Sequence, residues 1–313
     1  MKSIQWDKGP ITMPGMYAGI DIELYHHANI CDGPSVSSGG LRTIFNESPA
    51  HFFAGWRGNP RRVERPENRA LLVGRAAHHL LLGQDDFASM FVIQPEEYEA
   101  EDGSMKKWTY NARACQDWRK RRHDEGKTIV TQAEGEQIVA MAEVLGQHPI
   151  IRAGALNGLV ERSLFWRDKT TGIWLKSRPD SIPGVSEDFV DYKTTTSVLW
   201  PDLTRTIAEI GYHQQGALVL RAAREVLGMK APSFTLVFQE KTAPHCVRVV
   251  TLKESDIARG DKQNELALTT FASCLKANHW PGPGGDREDA EYIELPEWAQ
   301  KSIDDKISNA EAQ

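Results

Sequence analysis

A mixed α/β fold with a helical N-terminal half is predicted by three features of this 313-residue chain. Apolar residues recur at helical spacing through most of the first half. From about residue 159, short runs of alternating apolar and polar residues separated by turn signals take over. One long helical run interrupts those strands, and the resulting order of strands, helix and strands is that of a mixed central β-sheet flanked by helices.

Each element has its own signal. Residues 1–16 read as an N-terminal extension, 17–300 as one domain and 301–313 as a C-terminal tail, with fraying expected after Pro296. Residues 17–40 form an irregular arm ending in SVSSGG, where Ser37 or Ser38 caps one helix through LRTIFNESPAHFFAGW. After an arginine- and proline-rich loop, NRALLVGRAAHHLLLG is a second helix, with Leu71, Leu72, Ala76, Leu80 and Leu81 near helical spacing. Residues 105–123 and 131–147 are two more. LVERSLFWRD and IWLKSRPDSI alternate on either side of the turn KTTG, which makes a hairpin, and FVDYKTTT follows as a third strand of a meander. LTRTIAEIGYHQQGALVLRAAREVLG reads as one long helix, SFTLVFQE and HCVRVVTLK as two strands, and residues 254–278 as the last helix.

Composition removes several functions. With 40% hydrophobic and 26% charged residues the chain is an ordinary soluble globular protein. It has no run of about 18 apolar residues and no apolar signal-peptide core, which points to a cytosol and away from the membrane. Cys31, Cys115, Cys246 and Cys274 are far apart, so neither a zinc site nor an iron-sulfur cluster is expected. EGKT (125–128) ends like a phosphate-binding loop, but Arg121 stands where that loop requires glycine, so no nucleotide cofactor is expected. A net charge of −6 argues against indiscriminate nucleic-acid binding, yet six arginines lie between Arg57 and Arg75, among them Arg61 and Arg62. A second basic cluster, Lys106 to Lys127, is interleaved with Trp108, Tyr110 and Trp118. Both clusters suit a nucleic-acid channel and both suit a solvated helix face.

The stretch SRPDSIPGVSEDFVDYKTTT (177–196) sets Asp180, Asp191 and Lys193 at the ends of two apolar runs. If those runs pair as neighbours about 5 Å apart, the carboxylates converge on one hard cation, and magnesium needs only one or two of them. Lys193, two residues after Asp191, shares its face, where it can orient or deprotonate a water and offset charge on a phosphate. Taken alone, the same three residues are more often turn-capping acids and a snorkelling lysine.

Further residues narrow the choice. GRAAH (Gly74 to His78), Glu161 in VERSLFW, RPD, DYKTT and YHQQ (Tyr212 to Gln215), in that order, resemble the PD-(D/E)xK nuclease superfamily in its RecB-like form. Within it, Tyr25-His26, Ser35 to Leu41, TGIWLKSRPDSI and the closing LPEWA are similar to the exonuclease VIII (RecE) nuclease-domain family, over residues 17–300. The resemblance implies a restriction-endonuclease-like core. It implies that Asp180, Asp191 and the Tyr192 carbonyl hold Mg2+, with Mn2+ able to substitute, that Lys193 is catalytic, and that His78 sits near the metal. Gln215 would help bind DNA, Glu161 would serve a second metal, and Arg61, Arg62, Arg75 and Arg178 are DNA-binding candidates. Relatives often carry tyrosine four residues after the glutamine; here that residue is Val219.

The function so implied is an ATP-independent exonuclease on ends of double-stranded DNA, running 5′ to 3′ for phage or prophage recombination. The implied partners are a RecT-like single-strand annealing protein and further copies of the chain in a homo-oligomeric ring, in a bacterial cytosol. Three other functions stay open on the residues alone: a structure-specific or single-strand endonuclease, a non-catalytic module that binds DNA ends, and a structural protein.

Overall fold

The computed structural model describes residues 2–63, 74, 76–78, 90–160, 162–184 and 186–311. Its strands are β1 (Ile4–Gln5), β2 (Gly15–Ala18), β3 (Ser35–Ser37), β4 (Phe91–Ile93), β5 (Glu97–Glu99), β6 (Met105–Lys107), β7 (Thr128–Val130), β8 (Gly158–Val160), β9 (Ser163–Arg167), β10 (Trp174–Ser177), β11 (Ser181–Pro183), β12 (Asp188–Thr195), β13 (Ser233–Glu240) and β14 (Val247–Thr251). They make a five-stranded sheet, β1-β2-β9-β10-β3, a three-stranded sheet, β12-β13-β14, and the pairs β11-β8, β4-β7 and β5-β6. The α/β class holds.

The three-stranded sheet is apolar on both faces. On β12 and β13, Phe189, Phe234, Leu236 and Phe238 join one buried cluster, while Val190, Tyr192 and Val237 join another. The first cluster includes the helix Tyr212–Leu227 and the second the helix Gln132–Gln147, so the sheet lies between helical layers. Tyr212–Leu227 also packs against β9 and β10, whose Leu164, Trp166 and Leu175 lie in its cluster. A helix covered on several sides should be apolar nearly all round. Accordingly Gly216 to Leu220, Ala222 and Ala223 are buried.

The hairpin forms as predicted, with β9 antiparallel to β10. Asp168 Oδ1 closes its turn by accepting from the amides of Thr170 and Thr171. The third strand of the expected meander does not join it. Instead β12 runs parallel to β13, in register from Asp188↔Ser233 to Thr195↔Glu240. A strand apolar on both faces is stabilised by a like neighbour with helices above and below, and parallel pairing needs a helical crossover such as the one 200–227 supplies. The residues just after Asp180 form β11, which pairs with β8.

Other boundaries also shift. The long helix breaks into Trp200–Ile210 and Tyr212–Leu227 at Gly211, whose φ of +74° is a left-handed conformation that glycine adopts at no steric cost. The first predicted helix is two, Ser38–Asn46 and Pro49–Gly55; Ser48 caps the second by accepting from the His51 amide, with Pro49 in its first turn. Residues 105–123 divide into β6 and the helix Arg113–Asp124. Thr131 and Glu134 form a capping box at the start of Gln132–Gln147. The predicted helix NRALLVGRAAHHLLLG lies largely outside the described residues, but Gly74 and 76–78 are helical, and Ala76 and Ala77 are fully buried. Near the N-terminus, β1 and β2 extend the five-stranded sheet and Ile11 is buried, so part of 1–16 packs onto the domain. The last two helices are Glu254–Ala277 and Glu297–Glu311. No helix among the described residues is long and apolar enough to cross a membrane.

Candidate active site

Asp180 sits in the bend between β10 and β11, and Asp191 and Lys193 lie on β12. Alternation along β12 puts Asp191 and Lys193 on one face and Tyr192 on the other, where its hydroxyl donates to Gln239 Oε1 at 2.7 Å. The amide of Tyr192 donates to Asp180 Oδ2 at 2.8 Å, which ties Asp180 to the edge of β12 that β13 does not use. In an extended strand the N–H and C=O of one residue point to the same side. The Tyr192 carbonyl is therefore directed at the edge where Asp180 stands.

Two helices complete the cluster. His78 Nε2 lies 3.0 Å from Asp180 Oδ1. Its segment approaches β12 closely, for a Cβ on Gly74 would stand 2.9 Å from Thr194 Oγ1, tighter than side chains tolerate. The glycine of the GxxxH spacing thus has a steric reason. From the other side, Gln215 Nε2 donates to Asp191 Oδ1 at 3.1 Å. The Lys193 ammonium stands against Asp191 Oδ2 and 5.5 Å from the centre of the Tyr212 ring.

Burial and charge set the protonation. Burial pushes the Asp191 carboxyl up, and the neighbouring Asp180 pushes it further. Burial acts on Asp180 in the same direction, but His78, Lys193 and the Tyr192 amide together hold it below the usual carboxylate range. Burial would lower Lys193, yet Asp191 and Asp180 outweigh it and keep the group an ammonium. For His78 the Asp180 charge likewise overcomes burial and raises the pKa.

These residues fit a divalent cation. The Asp180 charge that raises the proton affinity of Asp191 would be offset by a cation between the two carboxylates, and a main-chain carbonyl faces the same edge. Asp191 Oδ2 is buried and makes no well-aligned hydrogen bond, although Lys193 stands beside it. Oxygen donors of this kind suit Mg2+ or Mn2+ rather than a soft metal. Among the described residues no three His, Cys, Asp or Glu side chains gather as a metal cage.

The other predicted residues are placed differently. Glu161 and Arg75 lie outside the described residues. Arg61 and Arg62 lie in the turn after Pro49–Gly55, where their amides bond to Asn59. Arg178 donates to the Ile20 carbonyl and lies over the Tyr25 ring at 5.6 Å. Val219 is 2% exposed and packs in the core.

Sequence reasoning missed two residues that support the site. Arg42 Nη1 donates to the Ile210 carbonyl at 2.8 Å, and Asn46 Nδ2 to Gln214 Oε1 at 3.0 Å, which fastens the helix Ser38–Asn46 to the Gly211 elbow that aims Gln215. Burial lowers the Arg42 pKa while Tyr212 and Asp191 oppose it, which sets its charge close to the site. Nothing in LRTIFN distinguishes these two from surface residues of a helix.

A mixed sheet flanked by helices, with an aspartate after proline in one bend and Asp-x-Lys on the strand whose amide binds that aspartate, defines the PD-(D/E)xK class. The chain belongs to the family described as "PDDEXK-like domain of unknown function (DUF3799)", which it matches over residues 37–296. Its fold is similar to the crystal structure of a "Putative exonuclease" from Eubacterium rectale, with a TM-score of 0.54 and 16% identity over 82% of this chain and 90% of that one. At that identity the likeness is one of fold. No curated protein matches the sequence.

Proposed function

We propose that the protein is a magnesium-dependent, ATP-independent exonuclease that degrades linear double-stranded DNA from its ends, with manganese able to substitute. The observation that carries this reading is the convergence of Asp180, Asp191 and Lys193 with His78 and Gln215 in one partly buried cluster. Asp180, Asp191 and the Tyr192 carbonyl would hold the cation, which when bound supplies a Lewis acid for the scissile phosphate and a water of lowered pKa. His78 orients Asp180 and Gln215 orients Asp191, so neither carboxylate has to be ordered when substrate arrives. The Lys193 ammonium offsets the charge that grows on the phosphate oxygens during displacement.

The narrower reading is an exonuclease VIII-like enzyme that runs 5′ to 3′ and leaves 3′ single-stranded tails for an annealing protein. It rests on the sequence resemblance. Linear and covalently closed circular duplexes, each incubated with Mg2+ and with chelator, test the end requirement. The proposal expects metal-dependent loss of the linear form and an intact circle. Cutting of the circle would make the protein an endonuclease, and retention of both forms with tight binding to linear ends would make it an end-binding module.

A further inference from the structure

The helix Glu297–Glu311 buries none of its side chains. Trp298, Ile303 and Ile307 are 76%, 43% and 50% exposed, and Tyr292, Ile293 and Leu295 just before them are exposed as well. Ala299, Ile303 and Ile307 are spaced by four and share one face, with Trp298 beside it. A helix of this length is marginal in water by itself and gains most of its stability by covering such a face.

A surface of matching character lies elsewhere on the molecule. Trp200, Leu203 and Ile207 of the helix Trp200–Ile210 and Val250 and Leu252 line an apolar groove of about 430 Å³, to which neither Asp180 nor Asp191 contributes. Trp200 is 59% exposed. The charges are complementary. The helix Glu297–Glu311 carries four acids and two bases, and the groove is edged by Lys253 and by Arg259, whose guanidinium is paired with Asp256, with Arg248 over the Trp200 ring.

We infer that the helix Glu297–Glu311 of one molecule seats in the Trp200–Leu252 groove of a second copy of this chain. An amphipathic helix with anchors four residues apart, laid in an apolar groove, is a recurrent mode of recognition. The tail buries nothing against its own molecule, and each copy offers one tail and one groove. Exchanged between two copies the contact closes a two-fold dimer, and passed from copy to copy it makes a ring or an open line. The inference does not depend on the nuclease reading.

Sedimentation equilibrium on full-length chains tests it with two variants that alter exposed positions only. One carries Trp298→Glu with Ile303→Glu in the tail; the other carries Thr204→Glu with Ala208→Glu in the groove. The expected result is an oligomeric wild type, a self-association constant weakened about tenfold or more in each variant alone, and a 1:1 dimer when the two are mixed. That dimer forms because the groove variant keeps an intact tail and the tail variant an intact groove. A monomeric wild type, a groove variant that still assembles, or a mixture that stays monomeric would each overturn the inference. Far-UV circular dichroism verifies folding, and a chain ending at Pro296 serves as the tail variant if the double substitution does not fold.

Discussion

His78 Nε2 lies 3.0 Å from Asp180 Oδ1 while the amide of Tyr192 holds Asp180 Oδ2 at 2.8 Å, so one carboxylate is fixed by a helix and a strand more than a hundred residues apart. Partners that orient a metal-binding carboxylate typically matter about 10–100-fold for metal affinity or activity. His78→Ala is expected to lower the nuclease rate by about that factor and to raise the Mg2+ concentration needed for half-maximal rate. An unchanged metal titration would remove His78 from the site.

Gly74 allows that approach, and its substitution should disturb the site from a distance. Gly74→Ala places a methyl group 2.9 Å from Thr194 Oγ1 and should push the segment carrying His78 away from β12. Activity is expected to fall with little change in melting temperature. Adding Thr194→Ala should restore part of the loss, and a double-mutant cycle measures that coupling. Strict additivity would mean the two residues do not meet.

The adjacent glutamines separate stability from chemistry. Gln214 is fully buried and accepts from Asn46, whereas Gln215 donates to Asp191. Gln214→Ala should cost about 1–3 kcal/mol of folding free energy through lost packing and the lost hydrogen bond from Asn46. Gln215→Ala should lower the turnover rate more than the melting temperature. Chemical denaturation and steady-state kinetics on both variants check the split.

Lys176 gives a pH signature that does not involve the site. It is 4% exposed, its ammonium donates to the Tyr25 carbonyl at 2.8 Å, and burial lowers its pKa to about 8. The unfolded chain therefore binds more protons than the folded one from about pH 8 up to the ordinary lysine value, and stability contributed by this group rises with pH across that window. Relative to Lys176→Met, the wild type should gain on the order of 3 kcal/mol between pH 7 and pH 11. A pH-independent difference between the two denaturation curves would contradict the assignment.

What the sequence disclosed follows the range of the forces involved. The β9–β10 hairpin and the helix Gln132–Gln147 are both legible, because an alternation around KTTG and a helical run over 131–147 are local patterns. The partner of β12 was not, because parallel pairing with β13 is decided by two-sided burial some 40 residues downstream and leaves no local mark. Gly211 was visible as a residue, but periodicity continues across it, so the break into two helices was missed. At the site, Asp180, Asp191, Lys193, His78 and Gln215 are all marked by motifs of the family the sequence resembles, and the structure brings them together. Arg42 and Asn46 escaped because they act through the Gly211 elbow, a feature of tertiary packing.

The most direct test of catalysis by the Asp180, Asp191 and Lys193 cluster is nucleotide release from a linear duplex labelled at one 5′ end, by wild type and Lys193→Ala. Release by the wild type with Mg2+, none with chelator, and a rate lower by at least about 10²–10³-fold in the variant are expected, the order lost when one charge-stabilising group is removed. Equal rates for the two proteins, or release that survives chelation, would contradict that role.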